Sequence, residues 1–330
     1  MRSALPLLAM KYLAAAGLAL ALGPAAQAAA YPDHPVTVVV PYPPGGAADI
    51  FGRAIAHAME PGLKQTVLVE NRPGAGGNVG MAHVARSAAD GYTLGLGTIG
   101  TQSINQFLYA SMPFDPAQDL VPIALVSTTP NILAVRAQSP FKTLADVIQA
   151  AKARKDKKLT YASPGVGSSV HLTGAYFEAV AGIELLHVPF KGTSASLPAV
   201  AGGQVDLLFD NLPGSLAQIR DGSRVRGIAI TSLQRDPSVP DLPTFNESGL
   251  PGFDVTAWFA LYAPRGTPEP VARALIEAAR SGLQAPELAR QFESMGARPG
   301  TLFGADLAAF EQRERDKWGG LIKQRGIATQ

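Results

Sequence analysis

The run Pro41-Tyr42-Pro43-Pro44-Gly45-Gly46-Ala47-Ala48-Asp49 joins an apolar, β-branched stretch, Val36-Thr37-Val38-Val39-Val40, to a segment of helical period at 50–59. A strand that ends in a Pro/Gly turn and opens a helix leaves backbone N–H groups unbonded at the helix start. The helix dipole adds partial positive charge at the same place. The chemistry on offer is anion binding by neutral donors. Asp49, in the first helical turn, complements the dipole and can cap free N–H groups. Four further strand ends repeat the plan. Gly97-Thr98-Ile99-Gly100-Thr101-Gln102-Ser103 is one, and Ser163-Pro164-Gly165-Val166-Gly167-Ser168-Ser169, with His171 just beyond, is another. Phe190-Lys191-Gly192-Thr193-Ser194 and Asp210-Asn211 complete the set. Backbone N–H groups, hydroxyls and one or two basic groups suit a carboxylate. One such turn alone is equally well read as a tight βα connection. The recurrence, at the carboxyl ends of strands where ligands of open α/β sheets bind, is what points to a site.

Other chemistries fit less well. Gly95-Leu96-Gly97-Thr98-Ile99-Gly100 matches G-x-G-x-x-G, but its first glycines fall in or at the end of a strand. Pro113 and Pro116 interrupt the chain before the acids Asp115 and Asp119, so a dinucleotide site is not expected. Lys191-Gly192-Thr193 follows no G-x-x-x-x-G and is not a P-loop. Ser168 or Ser169 with His171 and Asp210 sketches a hydrolase triad, yet no G-x-S-x-G surrounds either serine. The five histidines, His34, His57, His83, His171 and His187, form no H-x-x-x-H pair, and there is no cysteine. Neither a metal nor a cofactor is expected.

The elements that must position these turns alternate. Strands are read at 36–40, 67–70, 92–96, 121–126, 132–135, 159–162, 185–188, 205–209 and 225–230. Helices are read at 47–59, 79–85, 101–109, 144–154, 168–181 and 196–201, with a helical turn at 216–219. Alternation of this kind, with near-continuous apolar strands, predicts parallel sheets covered by helices on both faces. The tail differs: a strand at 253–263 carries Trp258, and amphipathic helices follow at 268–283 and 305–322. If that strand returns to the first lobe, the chain crosses twice and frames a hinged cleft.

The first thirty residues read as a secretory signal. Arg2 and Lys11 precede an apolar run at 12–22, and Ala26-Gln27-Ala28 and Ala28-Ala29-Ala30 offer cleavage sites. Cleavage is expected near 28–30, with export to an oxidising compartment. It also removes two of the 28 basic residues, leaving 26 against 26 acidic ones. A neutral mature chain without a basic stripe gives no footprint for nucleic acid. Export without cysteine means a core large enough to stand without disulfides.

In order and spacing these segments resemble the Bug-type periplasmic solute-binding receptors of the tripartite tricarboxylate transporter family, over essentially all of residues 31–330. The resemblance rests on the first turn with Asp49, Val69-Glu70-Asn71-Arg72-Pro73-Gly74-Ala75-Gly76-Gly77-Asn78, and Asp90-Gly91-Tyr92-Thr93-Leu94. Leu108-Tyr109 with Pro113-Phe114-Asp115-Pro116, the glycine–serine run 165–171, Pro189-Phe190-Lys191-Gly192, Gly203-Gln204-Val205-Asp206 with Phe209-Asp210, and Pro251-Gly252-Phe253 with Trp258 extend it. The resemblance implies a type II periplasmic-binding-protein-like fold, two α/β lobes around a hinged cleft. Lobe 1 would take 31–128 and 254–330, and lobe 2 would take 129–253. It implies a small carboxylate held partly through bridging waters, a membrane permease as partner, and no catalysis; the protein is expected to be monomeric. Tyr42, Pro44, Gly45, Gly46 and Asp49 are expected on one wall of the site, with Thr98, Thr101 and Gln102 beside them. Ser163, Val166, Gly167, Ser168, Ser169, His171, Lys191 and Asp210 are expected on the other. A sensor that presents its ligand to a membrane kinase, or a secreted serine hydrolase, are the alternative readings. The chain departs from the family pattern at Gly100-Thr101-Gln102-Ser103-Ile104-Asn105-Gln106, where a neutral amide stands for a histidine, and at Thr193-Ser194-Ala195-Ser196, where a proline-containing segment is usual.

Overall fold

The structure is a computed structural model that describes residues 31–154 and 157–327. The signal-peptide reading lies outside the described residues. Strand β1 (Val36–Val40) is buried along nearly its whole length and pairs in parallel with β2 (Val67–Asn71) and β3 (Thr93–Thr98). Helices α1 (Ala47–Leu63) and α2 (Asn78–Ala85) make the connections. After β3 comes a π-helical turn (Gly100–Ile104) and the short α3 (Asn105–Leu108). The strand β4 (Leu120–Arg136) then runs into a second βα set: α4 (Leu144–Ala153), β5 (Leu159–Ser163), α5 (Ser169–Ala181), β6 (Leu185–Pro189), α6 (Thr193–Ala201), β7 (Leu207–Asn211), α7 (Leu212–Asp221) and β8 (Val225–Ile230). The chain returns through β9 (Thr256–Pro264) and ends with α8 (Glu269–Leu283), α9 (Pro286–Ser294), β10 (Arg298–Pro299) and α10 (Gly304–Arg325).

The strand order is β2-β1-β3-β9-β4-β7-β5-β6, with β8 and β10 also paired to β4. β9 lies antiparallel between β3 and β4, and β4 is antiparallel to β7 and β8. The sheets are therefore mixed, not purely parallel as the alternation suggested. The parallel pairs lie within the two βα sets, β1 with β2 and β3 and β5 with β6 and β7, and every antiparallel pair involves β4 or β9. The two extended segments expected at 121–126 and 132–135 are one continuous strand. Its middle, Ser127 to Asn131, reads as a polar linker. Yet Thr128, Thr129 and Pro130 pair with β9 and Asn131 with β7, so their backbone groups stay in a ladder. A helical turn expected at 216–219 is the full helix α7, because Pro213 falls where a helix start tolerates it.

Pairing divides the molecule into two α/β lobes that share β4. Residues Leu120 to Pro130 pair with β9, and Asn131 to Arg136 pair with β7 and β8. Both crossings are tied at one threonine. The Thr231 hydroxyl donates to the Val255 carbonyl at 2.6 Å and accepts the Asn131 N–H at 2.8 Å. The Thr231 N–H donates to the Asn131 carbonyl at 2.9 Å. Hinges are built from a few loop or element-terminal residues, and Thr231 and Val255 stand just after β8 and just before β9.

Candidate functional site

The carboxyl ends of β1, β3, β5, β6 and β7 all open onto one cavity. The turn after β1 contributes Tyr42, Pro43, Gly46, Ala47 and Ala48, and β3 with the residue after it contributes Thr98 and Ile99. Across from them stand Pro164, Ser168 and Ser169, then Gly192 and Thr193, then Asn211. Trp258 and Phe259 of β9 close the rear. Four long helices, α1, α5, α6 and α7, begin at this cavity. The caps of α1, α6 and α7 (Gly46, Gly192 and Asn211) place no side chain on the helix N–H groups. Among the described residues no lysine, arginine, histidine, aspartate or glutamate lines it. Positive potential here comes from peptide dipoles alone.

The first turn is held from behind by Asp49, which is buried. Its carboxylate accepts from the Gly45 N–H at 3.1 Å, from Arg53 Nε at 3.1 Å and from Asn71 Nδ2 at 3.0 Å. Burial alone would raise its pKa. The bonds from Arg53, Asn71 and Gly45 outweigh burial and hold it below the ordinary value. Asn71 Nδ2 also donates to the Tyr42 carbonyl at 3.0 Å, so one network fixes both ends of the turn. Pro44 and Gly45 are exposed on its outer side and do not line the cavity. The Tyr42 hydroxyl donates to the Gly76 carbonyl at 2.9 Å, and burial pushes its pKa up to about 12.

The second wall is built around Ser168, the cap of α5. Its hydroxyl accepts the His171 N–H at 3.1 Å and donates to the Gly165 carbonyl at 2.7 Å. Behind it, His171 and His187 stack with ring centroids 4.2 Å apart. His171 Nδ1 accepts the Gly167 N–H at 3.4 Å, and His187 Nε2 lies 2.7 Å from the Ser163 hydroxyl. Burial lowers His171 to about 4. Burial, with the neighbouring His171 ring second, lowers His187 to about 3. Both rings are neutral near pH 7. Ser163, Gly167 and His171 thus shape the turn from behind without lining the cavity, and Thr101 and Gln102 do the same under Thr98.

Asp210 is also set back. It is 1% exposed; Oδ1 accepts from the Thr193 hydroxyl at 2.9 Å, and the Asn211 N–H and the Ser215 hydroxyl stand beside the carboxyl. Burial, partly offset by the Thr193 bond, raises its pKa to about 7. Val166 and Lys191 line an outer chamber that shares Tyr42, Pro43, Pro164 and Gly192 with the inner cavity. Thr193 and Asn211 belong to turns already singled out in the sequence, though not among the expected site residues. Trp258 and Phe259 had no local signal, because a buried strand shows only apolar residues.

The two walls meet at glycines. A Cβ on Gly100 would lie 2.6 Å from the Gly167 carbonyl oxygen, and one on Gly76 2.4 Å from that of Val166. The Tyr109 hydroxyl donates to the same Val166 carbonyl at 3.0 Å, spanning the cleft. Asn211 Nδ2 donates to Asn131 Oδ1 at 2.5 Å, which joins the cavity wall to the hinge.

Comparison with known proteins agrees with this construction. Residues 51–327 match the tripartite tricarboxylate transporter family receptor. BugT of Bordetella pertussis is 33% identical over 316 residues, 96% of this chain and 95% of that protein. MatC from Rhodopseudomonas palustris, solved with bound malate, superposes with a TM-score of 0.84 at 34% identity over 88% of this chain and 100% of that one. Rpa4515 from R. palustris, solved with adipate, gives 0.86 at 33% identity over 91% and 100%. The chain belongs to the receptor family of the tripartite tricarboxylate transporters, the Bug-type periplasmic solute-binding proteins.

Proposed function

We propose that the inner cavity captures a small carboxylate and that lobe closure presents it to the membrane permease. The observation that carries this reading is the convergence of four helix N-termini on a cavity without a charged side chain. A helix N-terminus stabilises an anion by about 0.3–1 kcal/mol when exposed and up to ~2 kcal/mol in partly buried geometry, and four act together here. The malate and adipate seen in the two similar structures fit the same chemistry. Tyr42, Gly46, Thr98, Ser168 and Ser169 face the ligand, with bridging waters completing its shell. Pro44, Gly45 and Asp49 hold the first turn in shape. Ser163, Gly167 and His171 hold the second, Thr101 and Gln102 the third, and Asp210 acts through Thr193. Residues 31–128 with 254–330 move against 129–253, and the protein works as a monomer after cleavage near 28–30. The reading is non-enzymatic: the Ser168 hydroxyl is committed to the Gly165 carbonyl, the Ser169 hydroxyl accepts from Asn211 Nδ2 at 3.5 Å, and His171 Nδ1 is taken by the Gly167 N–H, so neither serine has a histidine base beside it.

A thermal-shift screen of residues 31–330 against mono-, di- and tricarboxylates, each beside its neutral amide, tests the reading. An acid at ~100 times its dissociation constant stabilises the native state by about 2.7 kcal/mol. Its melting temperature rises by roughly 2–4 °C for each kcal/mol. The expected result is a shift with an acid and none with its amide. Equal shifts for the two, or none with any acid, overturn the carboxylate reading.

A further inference from the structure

Helix α10 contributes no residue to the cavity lining, yet it holds the rear wall. Trp258 and Tyr262 are four apart on β9 and share one face of the strand. Glu311 and Glu314 are three apart on α10 and share one face of the helix. The two faces are joined at their polar tips. The Trp258 indole N–H donates to Glu314 Oε2 at 3.0 Å, and the Tyr262 hydroxyl donates to Glu311 Oε1 at 2.6 Å. The same Glu314 oxygen accepts the Trp318 indole N–H at 3.0 Å, so both tryptophans of the chain are bonded to one carboxylate. Phe310 packs edge-on against the Trp258 ring, with centroids 5.5 Å apart. Of all these groups, Trp258 alone lines the cavity.

Trp258 is 1% exposed. An indole N–H buried that deeply needs an acceptor, and leaving it without one costs more than the bond itself contributes. Once the Glu314 acceptor is removed, the nearest remedy is for the ring to turn its N–H toward water in the cavity. The rear wall then moves with the ring. We propose that Glu314 is a positioning residue for the binding site. By accepting the Trp258 N–H from behind, it fixes the plane of the indole and with it the shape of the rear wall. The proposal rests on the carboxylate reading of the cavity for its binding readout. The role needs an acceptor oxygen and not a charge, since an amide oxygen has the two lone pairs that two N–H groups require.

Glu314→Leu and Glu314→Gln test this, each made in the parent, in Trp258→Phe and in Trp318→Phe, and titrated by calorimetry with malate and with adipate. In the parent, Glu314→Leu weakens binding about five- to twentyfold, and Glu314→Gln stays within about twofold. In Trp258→Phe, which has no N–H to hold, Glu314→Leu changes affinity by less than about twofold; in Trp318→Phe it keeps its full effect. The same loss in all three backgrounds marks a role in general stability alone and overturns the proposal, as does an unchanged affinity in the parent. A second readout needs no ligand. In Trp318→Phe the only tryptophan left is Trp258, and Glu314→Leu shifts its emission and opens it to acrylamide quenching, whereas Glu314→Gln does neither. Emission and quenching unchanged in Glu314→Leu overturn the positioning role. If neither acid binds the parent, the carboxylate reading loses its support and the Trp258 emission decides the positioning role by itself.

Discussion

Gly100→Ala weakens ligand binding by about ten- to a hundredfold while leaving the ligand-free melting temperature within a few degrees of the parent. Gly100 opens the π-helical turn on one wall, and a Cβ there lies 2.6 Å from the Gly167 carbonyl oxygen and 3.6 Å from the Ser168 Cα on the other. The residue has no positive φ, so alanine is not strained where it stands. On its own wall the added methyl group meets only the Thr98 hydroxyl oxygen, at 3.3 Å, and its main clash is with the opposing wall. Overpacking of this kind costs roughly 1–3 kcal/mol. That cost falls chiefly on the closed arrangement, and each 1.4 kcal/mol is about tenfold in affinity. Gly320→Ala serves as control, since a Cβ at Gly320 meets nothing within 4 Å. Calorimetry checks the affinity and thermal melting checks the fold. Parent-like affinity in Gly100→Ala contradicts closure along this contact.

Asp210→Asn changes how stability and affinity depend on pH. The Asp210 carboxyl has a folded pKa of about 7 against an ordinary 3.8, so the folded state favours its protonated form. Its contribution is fully present below pH ~4 and is lost as pH rises through about 7, in total on the order of 4 kcal/mol. Buried Glu311, raised to about 7 by burial and only partly relieved by the Tyr262 hydroxyl and by Arg315, acts in the same sense. His171 and His187 act in the opposite one. Lowered to about 4 and about 3, they contribute stability above pH ~6.5 that is lost as pH falls through those values. The opposing slopes flatten the parent's profile between about pH 4 and 6.5. Asp210→Asn removes one of them, so its melting temperature gains on the parent as pH rises from about 5 to 8, by up to about 10 °C. Asp210 also stands behind Thr193 at the anion cavity. Carboxylate affinity in the parent therefore declines above pH ~7 as a second negative charge forms, and in Asp210→Asn it does not. A difference between the two proteins that is constant with pH contradicts the assignment.

Much of the site is legible because its signals are local. A β-branched run followed by Pro-Pro-Gly-Gly and an acid in the first turn defines β1, the cavity floor and α1 within fourteen residues. The helix expected from Ser168 starts one residue later with Ser168 as its cap, a role whose signal is also local, since the bond it accepts comes from three residues on. What the sequence conceals is set by distant pairing. β9 is a uniformly apolar strand, and only its place between β3 and β4 turns Trp258 and Phe259 toward the cavity. The polar middle of β4 resembles a linker because its partners lie about eighty and a hundred and thirty residues away. Asp210 and His171 carry the residue types of a binding site, yet they sit one layer behind the wall. Residue type fixes what a group can bond, while depth depends on the packing of whole helices. Pro61 marks a helix end by local rules, but α1 continues to Leu63, where Gly62 packs closely on Ala278 of α8.

The central claim is that a carboxylate is held between two walls and draws them together. Small-angle X-ray scattering of residues 31–330, without ligand and then saturated with the tightest acid from the thermal-shift screen, measures that motion directly. The radius of gyration falls on adding the acid, stays unchanged with its amide, and falls less or not at all in Gly100→Ala. Tight binding of the acid with no contraction in the parent contradicts the account, since the ligand would then be held by one wall alone.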